Sequence, residues 1–166
     1  MKTQLAASLL LITFPIMMVS CVSSLLKEAP PTFSKDIKWT EPMTPFKKMN
    51  TSIYPTWKNK STGNVISIVS DCGDLAADQN LGSFHQLIEG SVEKFKLVKE
   101  QKILFKNKSA LIHHSQGELD GQPIEIQAMS FKRKNCGYVT SLTGKKGNLD
   151  PDRRAYNQFN ESLNFE

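Results

Sequence analysis

Cysteine is scarce in this sequence, with three in 166 residues. That is too few for the disulfide-dense scaffolds that small secreted domains use in place of a core. Glycine and proline are also sparse, 9 and 8 residues, and no segment repeats, which excludes collagen-like and low-complexity chains. The net charge of +5 is small and spread along the chain, so it does not mark a nucleic-acid binder. The apolar run from Leu5 to Val19 covers 15 residues and is interrupted by Pro15; a bilayer span needs about 20. There is no G-x-S-x-G nucleophile elbow, and Gly144-Lys145-Lys146-Gly147 lacks the rest of a phosphate-cradling loop. What remains is a chain that is 39% hydrophobic and 22% charged, suited to one domain of ordinary size.

The N-terminus carries an address. Lys2 and the apolar run have the form of a secretory signal over residues 1–20. It ends in Met18-Val19-Ser20-Cys21, which resembles the lipobox of bacterial lipoproteins, with Met18 in place of the usual Leu. The resemblance implies cleavage before Cys21, a diacylglycerol thioether on its sulfur and an acyl chain such as palmitate on its new amine. The alternative is an ordinary secreted protein that begins with Cys21, but an A-x-A-like site is missing. Removal of residues 1–20 leaves 20 basic and 16 acidic residues. It also leaves Cys72 and Cys136 as a possible disulfide in an oxidising compartment, the alternative being two separate buried thiols. Four Asn-x-Ser triplets, at Asn50, Asn59, Asn107 and Asn160, read as incidental surface turns beside a lipobox.

Residues 21–36 hold Ser23, Ser24, Pro30, Pro31 and Ser34 without apolar period, a tether between the lipidated cysteine and a single domain over 37–166. An irregular lead-in with one short strand around Ile37–Thr40 comes first. Ser52–Lys58 and Asn64–Cys72 then flank a turn-rich pentapeptide and form a hairpin. Leu81, Phe84, Ile88, Val92 and Phe95 step at helical period, with Asp78 or Asn80 as cap and Gly90 as a bend. Four strands follow, Lys96–Phe105, Lys108–Glu118, Gln122–Arg133 and Asn135–Thr143. Asp120-Gly121 marks a tight hairpin among them, and the short turns make an antiparallel meander. Ile124, Ile126 and Ala128 share one face of the third of these strands, opposite Glu125 and Gln127. Asp150 and Pro151 open a closing helix striped by Ala155, Phe159 and Leu163.

The fold class is therefore α+β, an antiparallel β-sheet packed against helices. The element order, the Asp120-Gly121 hairpin, Tyr138 near the start of the last strand and the helix from Ala155 to Leu163 resemble the PsbP/Mog-type α/β/α sandwich, including the DcrB-like envelope lipoproteins. That resemblance implies a non-catalytic interaction or assembly factor.

Candidate chemistry is thin. His113 and His114 are adjacent in a strand and point to opposite faces, so they do not share a metal; His85 flanks the first helix with no ligand partners in sequence. Asp71, Asp74, Asp150 and Asp152 suit caps and solvated loops more than a Ca²⁺ site. Lys132, Arg133, Lys134, Lys145 and Lys146 cluster near the last hairpin, and lysines recur from Lys94 to Lys108. These could face anionic lipid or an acidic partner, or simply protect a sheet edge. The expectation is a lipid-anchored cell-envelope protein without cofactor, metal, nucleic-acid partner or catalysis, acting on an envelope protein. Its runner-up is a small-ligand carrier with a cleft between sheet and helix. Val22 after Cys21 points to the outer membrane, facing the periplasm, in the enterobacterial sorting scheme.

Overall fold

The computed structural model describes residues 33, 34 and 36–165. The expected signal segment, Cys21 and most of the expected tether lie outside the described residues. Among the described residues no helix is long and apolar enough to cross a membrane.

Seven strands form one antiparallel sheet in the order β2-β3-β4-β8-β7-β6-β5. They are β2 (Phe46–Lys48), β3 (Thr56–Asn59), β4 (Val65–Cys72), β5 (Glu93–Phe105), β6 (Lys108–Leu119), β7 (Gln122–Arg133) and β8 (Cys136–Lys145). The meander β5 to β8 is built by local turns. Lys106, Asn107, Asp120 and Lys134 take positive φ there, as does Gly121, which gives two-residue turns the twist that matches the strands. The hairpin β3–β4 joins the meander through β4 against β8, with eight residue pairs from Val65↔Thr143 to Cys72↔Cys136. A small second ladder pairs β1 (Ile37–Lys38) with β9 (Asn164–Phe165), so the lead-in clasps the end of the chain. The sequence placed β2 within an irregular lead-in and did not signal β9; both are too short to show a period.

The sheet is covered on both faces, and the alternation of each central strand divides between two cores. On one face Ile66, Ile68, Phe131, Tyr138 and Leu142 pack against Tyr156, Phe159 and Leu163 of α3 (Arg153–Ser162) and its end. On the other face Ile124, Ile126, Ala128 and Val139 pack against Ala76 and Phe84. These come from α1 (Asp74–Asp78) and a 3-10 turn, Leu81–His85, which leads into α2 (Gln86–Glu89). The layers are helix, sheet, helix.

The single helix expected across Leu81–Phe95 is instead a 3-10 turn, one turn of α-helix and the start of β5. The apolar stripe is real: Leu81, Phe84, Ile88, Val92 and Phe95 all reach the same core. Three local structures share it because the chain doubles over one sheet surface. Gly90 closes α2, and from Glu93 the ladder to β6 satisfies the backbone in place of helical hydrogen bonds. At the C-terminus Asp150–Asp152 form a 3-10 turn with Pro151 early in it, ahead of α3. Asp152 is 4% exposed, and its carboxylate accepts hydrogen bonds from Asn59 Nδ2 at 2.8 Å, Thr62 Oγ1 at 2.6 Å and Asn64 Nδ2 at 2.8 Å. It pins the β3–β4 turn to α3. Asn59 is thus an interior residue, and Asn160 is also buried, so these two triplets are not the surface turns the sequence suggested.

Candidate functional site

Two features stand out on the face of the sheet covered by α1, the 3-10 turn and α2. The first is a cleft of about 340 Å³ where the short helical segment leaves the sheet uncovered. Its walls include Leu87, Ile88 and Val92 on one side and Leu119 on another. The floor includes Val69 and Ile126, with Ser67 and Ser141 between them, their hydroxyls 2.8 Å apart. Leu87 and Leu119 remain 37% and 46% exposed at the rim. The lining divides between apolar side chains and hydroxyl-bearing ones, with Ser52, Tyr54, Thr56, Ser91 and Thr143 besides the Ser67–Ser141 pair, an amphipathic composition compatible with a binding cleft.

The second feature lies deeper, over β6. Its members are drawn from three separate elements. His113 sits mid-strand in β6, fully buried, with Nε2 2.9 Å from Ser130 Oγ on β7. His85 ends the 3-10 turn, whose start is capped by Asn80 Oδ1 accepting from the Ser83 amide at 3.0 Å. Phe84, just before it, is fully buried and fits a hollow that exists because residue 137 is glycine: a Cβ there would stand 1.9 Å from the Phe84 ring. That insertion delivers His85 onto His113, ring against ring.

Glu100 completes the group from β5. Its Oε2 is 3.3 Å from His85 Nε2 and 3.4 Å from His113 Nδ1. The hairpin register sets this up. From the turn at Lys106-Asn107 the β5–β6 ladder runs unbroken from Phe105↔Lys108 to Lys99↔His114, and the bulge at Val98 lies beyond it. Glu100 therefore pairs directly with His113 and shares its face of the sheet. Burial, reinforced by the neighbouring imidazoles of His85 and then His114, lowers the His113 pKa to about 3, so the ring is neutral at ordinary pH.

His114 does point away from His113, toward Arg153 and Glu125, and burial is the first cause of its own lowered pKa. Strand alternation separates His113 from His114 but says nothing of His85. The histidine that meets His113 is His85, 28 residues earlier, and no local pattern in the sequence marks that contact.

The other residues singled out in the sequence are more dispersed. Cys72 and Cys136 are joined in a disulfide, with Cα atoms 4.1 Å apart. Cys21 lies outside the described residues. The basic cluster near the last hairpin is largely occupied with structure. Lys132 donates to the Ala77 and Gln79 carbonyls at the end of α1. Arg133 donates to the Phe105 carbonyl at 2.9 Å and stacks 4.7 Å from the Phe165 ring, and Lys134 pairs with Asp36 at 3.2 Å.

No family model matches the chain, and no curated protein matches it. Among solved structures, cyanobacterial PsbP (CyanoP) from Synechocystis superposes with a TM-score of 0.51 at 6% identity, covering 81% of this chain and 84% of that one. The fold is PsbP-like. Looser likenesses are a Pseudomonas aeruginosa protein of unknown function, PA94 (TM-score 0.47, 20% identity, 72% of this chain and 81% of that one), and LpqN, involved in cell envelope biogenesis of Mycobacterium tuberculosis (0.41, 10%, 81% and 80%). The cleft opens because the chain returns to β5 after only one turn of α2.

Proposed function

We propose that this chain is a lipid-anchored accessory protein of the bacterial cell envelope, held through Cys21, whose PsbP-like domain grips an apolar segment of a partner protein and catalyses nothing. The observation that carries this reading is the cleft beside α2. It joins apolar walls to two exposed leucines at its rim, Leu87 and Leu119, and continuity of a groove with exposed apolar side chains suits a protein segment more than an enclosed small molecule. The anchor reading rests on the lipobox-like Met18–Cys21 segment. The second reading, a small-ligand carrier, is favoured by the cleft volume of about 340 Å³ and its Ser67–Ser141 floor, within the lower range of ligand sites.

The test is photo-crosslinking in cells. A photoreactive residue replaces Ser91 on the cleft wall, with Glu161 on the opposite face of the domain as control. A protein adduct from position 91 and none from 161 supports the reading, and a small lipophilic adduct supports the carrier. Equal capture from both positions sinks both. In parallel, Cys21→Ala should abolish labelling by fatty acid and release the protein from the membrane fraction, because burial of several acyl chains at about 0.8 kcal/mol per CH₂ is what holds it. Membrane retention and labelling of the variant would refute the anchor.

A further inference from the structure

We propose that His85, Glu100 and His113 bind one first-row divalent metal ion of the zinc class, and that the ion fastens the Leu81–Glu89 segment to the sheet. This stands apart from the reading of the cleft, whose lining includes none of the three residues, and it reverses the expectation of a metal-free domain.

Four observations converge. First, the donor set is specific. One ligand atom from each residue lies within 4.8 Å of the others, and two imidazole nitrogens with one carboxylate oxygen suit zinc and its neighbours, whereas calcium and magnesium take oxygen sets. Second, the separations fit. Metal bonds of about 2.0–2.1 Å in a tetrahedral site set neighbouring ligand atoms about 3.3–3.4 Å apart. The Glu100 oxygen stands 3.3 Å from His85 Nε2 and 3.4 Å from His113 Nδ1.

Third, His113 is oriented from behind. Its Nε2 is engaged by Ser130 Oγ at 2.9 Å, the outer-shell partner that metal-bound histidines usually have. Its Nδ1 is buried without a hydrogen bond, because the approach of Glu100 is not aligned for one. A buried polar atom left so is costly unless something occupies its lone pair. Fourth, the fold spends an irregular feature on this point: the Gly137 hollow that seats Phe84 and presents His85.

The site has an entrance. Both histidines are buried, but the Glu100 side chain is 42% exposed, so solvent reaches its outer edge and a water takes the fourth position. His85, carried by one 3-10 turn rather than a strand ladder, is the ligand that adjusts as the ion enters.

The test uses the untagged full chain in detergent, stripped with EDTA and desalted. Zn²⁺ is titrated calorimetrically and Co²⁺ by visible absorption. The expected result is one ion per chain, with the intense cobalt bands of four-coordination. Glu100→Gln and His85→Ala should each weaken Zn²⁺ affinity about tenfold or more, while His114→Ala leaves it unchanged. Glu100 is on the surface, so its variant keeps the fold and remains informative if a histidine variant does not. Absence of stoichiometric binding to the wild type, or affinity indifferent to both Glu100→Gln and His85→Ala, overturns the proposal and makes the three residues a buried polar network.

Discussion

Replacing Cys72 and Cys136 by serine should cost the domain about 4 kcal/mol. The bridge links residues 64 positions apart, and the ring it closes contains α1, α2 and the strands β5, β6 and β7. In the chain-entropy treatment a loop of that length removes about 4 kcal/mol of freedom from the unfolded chain. The folded state loses little, because the two residues are register partners at the end of the β4–β8 ladder and seven other pairs hold those strands together. Unfolding entropy of about 2.1 cal/mol/K per residue over roughly 130 ordered residues turns this into a fall in Tm of roughly 15 °C. The assay is thermal and urea unfolding by circular dichroism, with and without reductant. Cys72→Ser, Cys136→Ser and the double variant should all lose the same amount, since each removes the same link. Reductant should act on the wild type alone, and the urea m-value should rise as the unfolded chain expands. A Tm shift of only a few degrees, or losses that add in the double variant, would refute the entropic account.

Two further outcomes follow from the interior. Gly137→Ala places a Cβ 1.9 Å from the Phe84 ring, and overpacking there should cost about 1–3 kcal/mol, read as a lower Tm; an unchanged Tm would show that the helical segment gives way freely. Tyr156, fully buried with its hydroxyl 3.0 Å from Thr140 Oγ1, has its pKa raised to about 12 by burial. Its neutral form is favoured in the fold, so stability is intact below the unfolded pKa of about 10 and declines as pH climbs from there to 12, by up to about 3 kcal/mol. Tyr156→Phe should lose about 1 kcal/mol of hydrogen bonding at neutral pH and flatten that alkaline decline, as measured by urea midpoints from pH 8 to 11.5.

Local chemistry made much of this fold legible. Asp120-Gly121 is a tight-turn signal whatever surrounds it, so the boundary between β6 and β7 and their antiparallel pairing could be read directly from residues. Pro151 and the Ala155–Leu163 stripe placed the last helix for the same reason: a start signal and a 3.6-residue period act within a few residues. What the chain could not disclose locally was decided by which surfaces meet. The stripe from Leu81 to Phe95 reads as one helix because its side chains all face one sheet, yet the ladder offered by β6 takes the backbone from Glu93 onward. The pairing of β4 with β8 across the intervening meander has no local signature, and it is what brings Cys72 to Cys136. The candidate metal site is the clearest case. The Lys106-Asn107 turn sets Glu100 opposite His113 in the β5–β6 register, but nothing local brings His85 to the pair. His85 arrives because Phe84 finds room above Gly137, a close approach between residues 53 positions apart. Such contacts depend on the register of one strand against another and on the space a missing side chain leaves, and both exist only once the chain has folded.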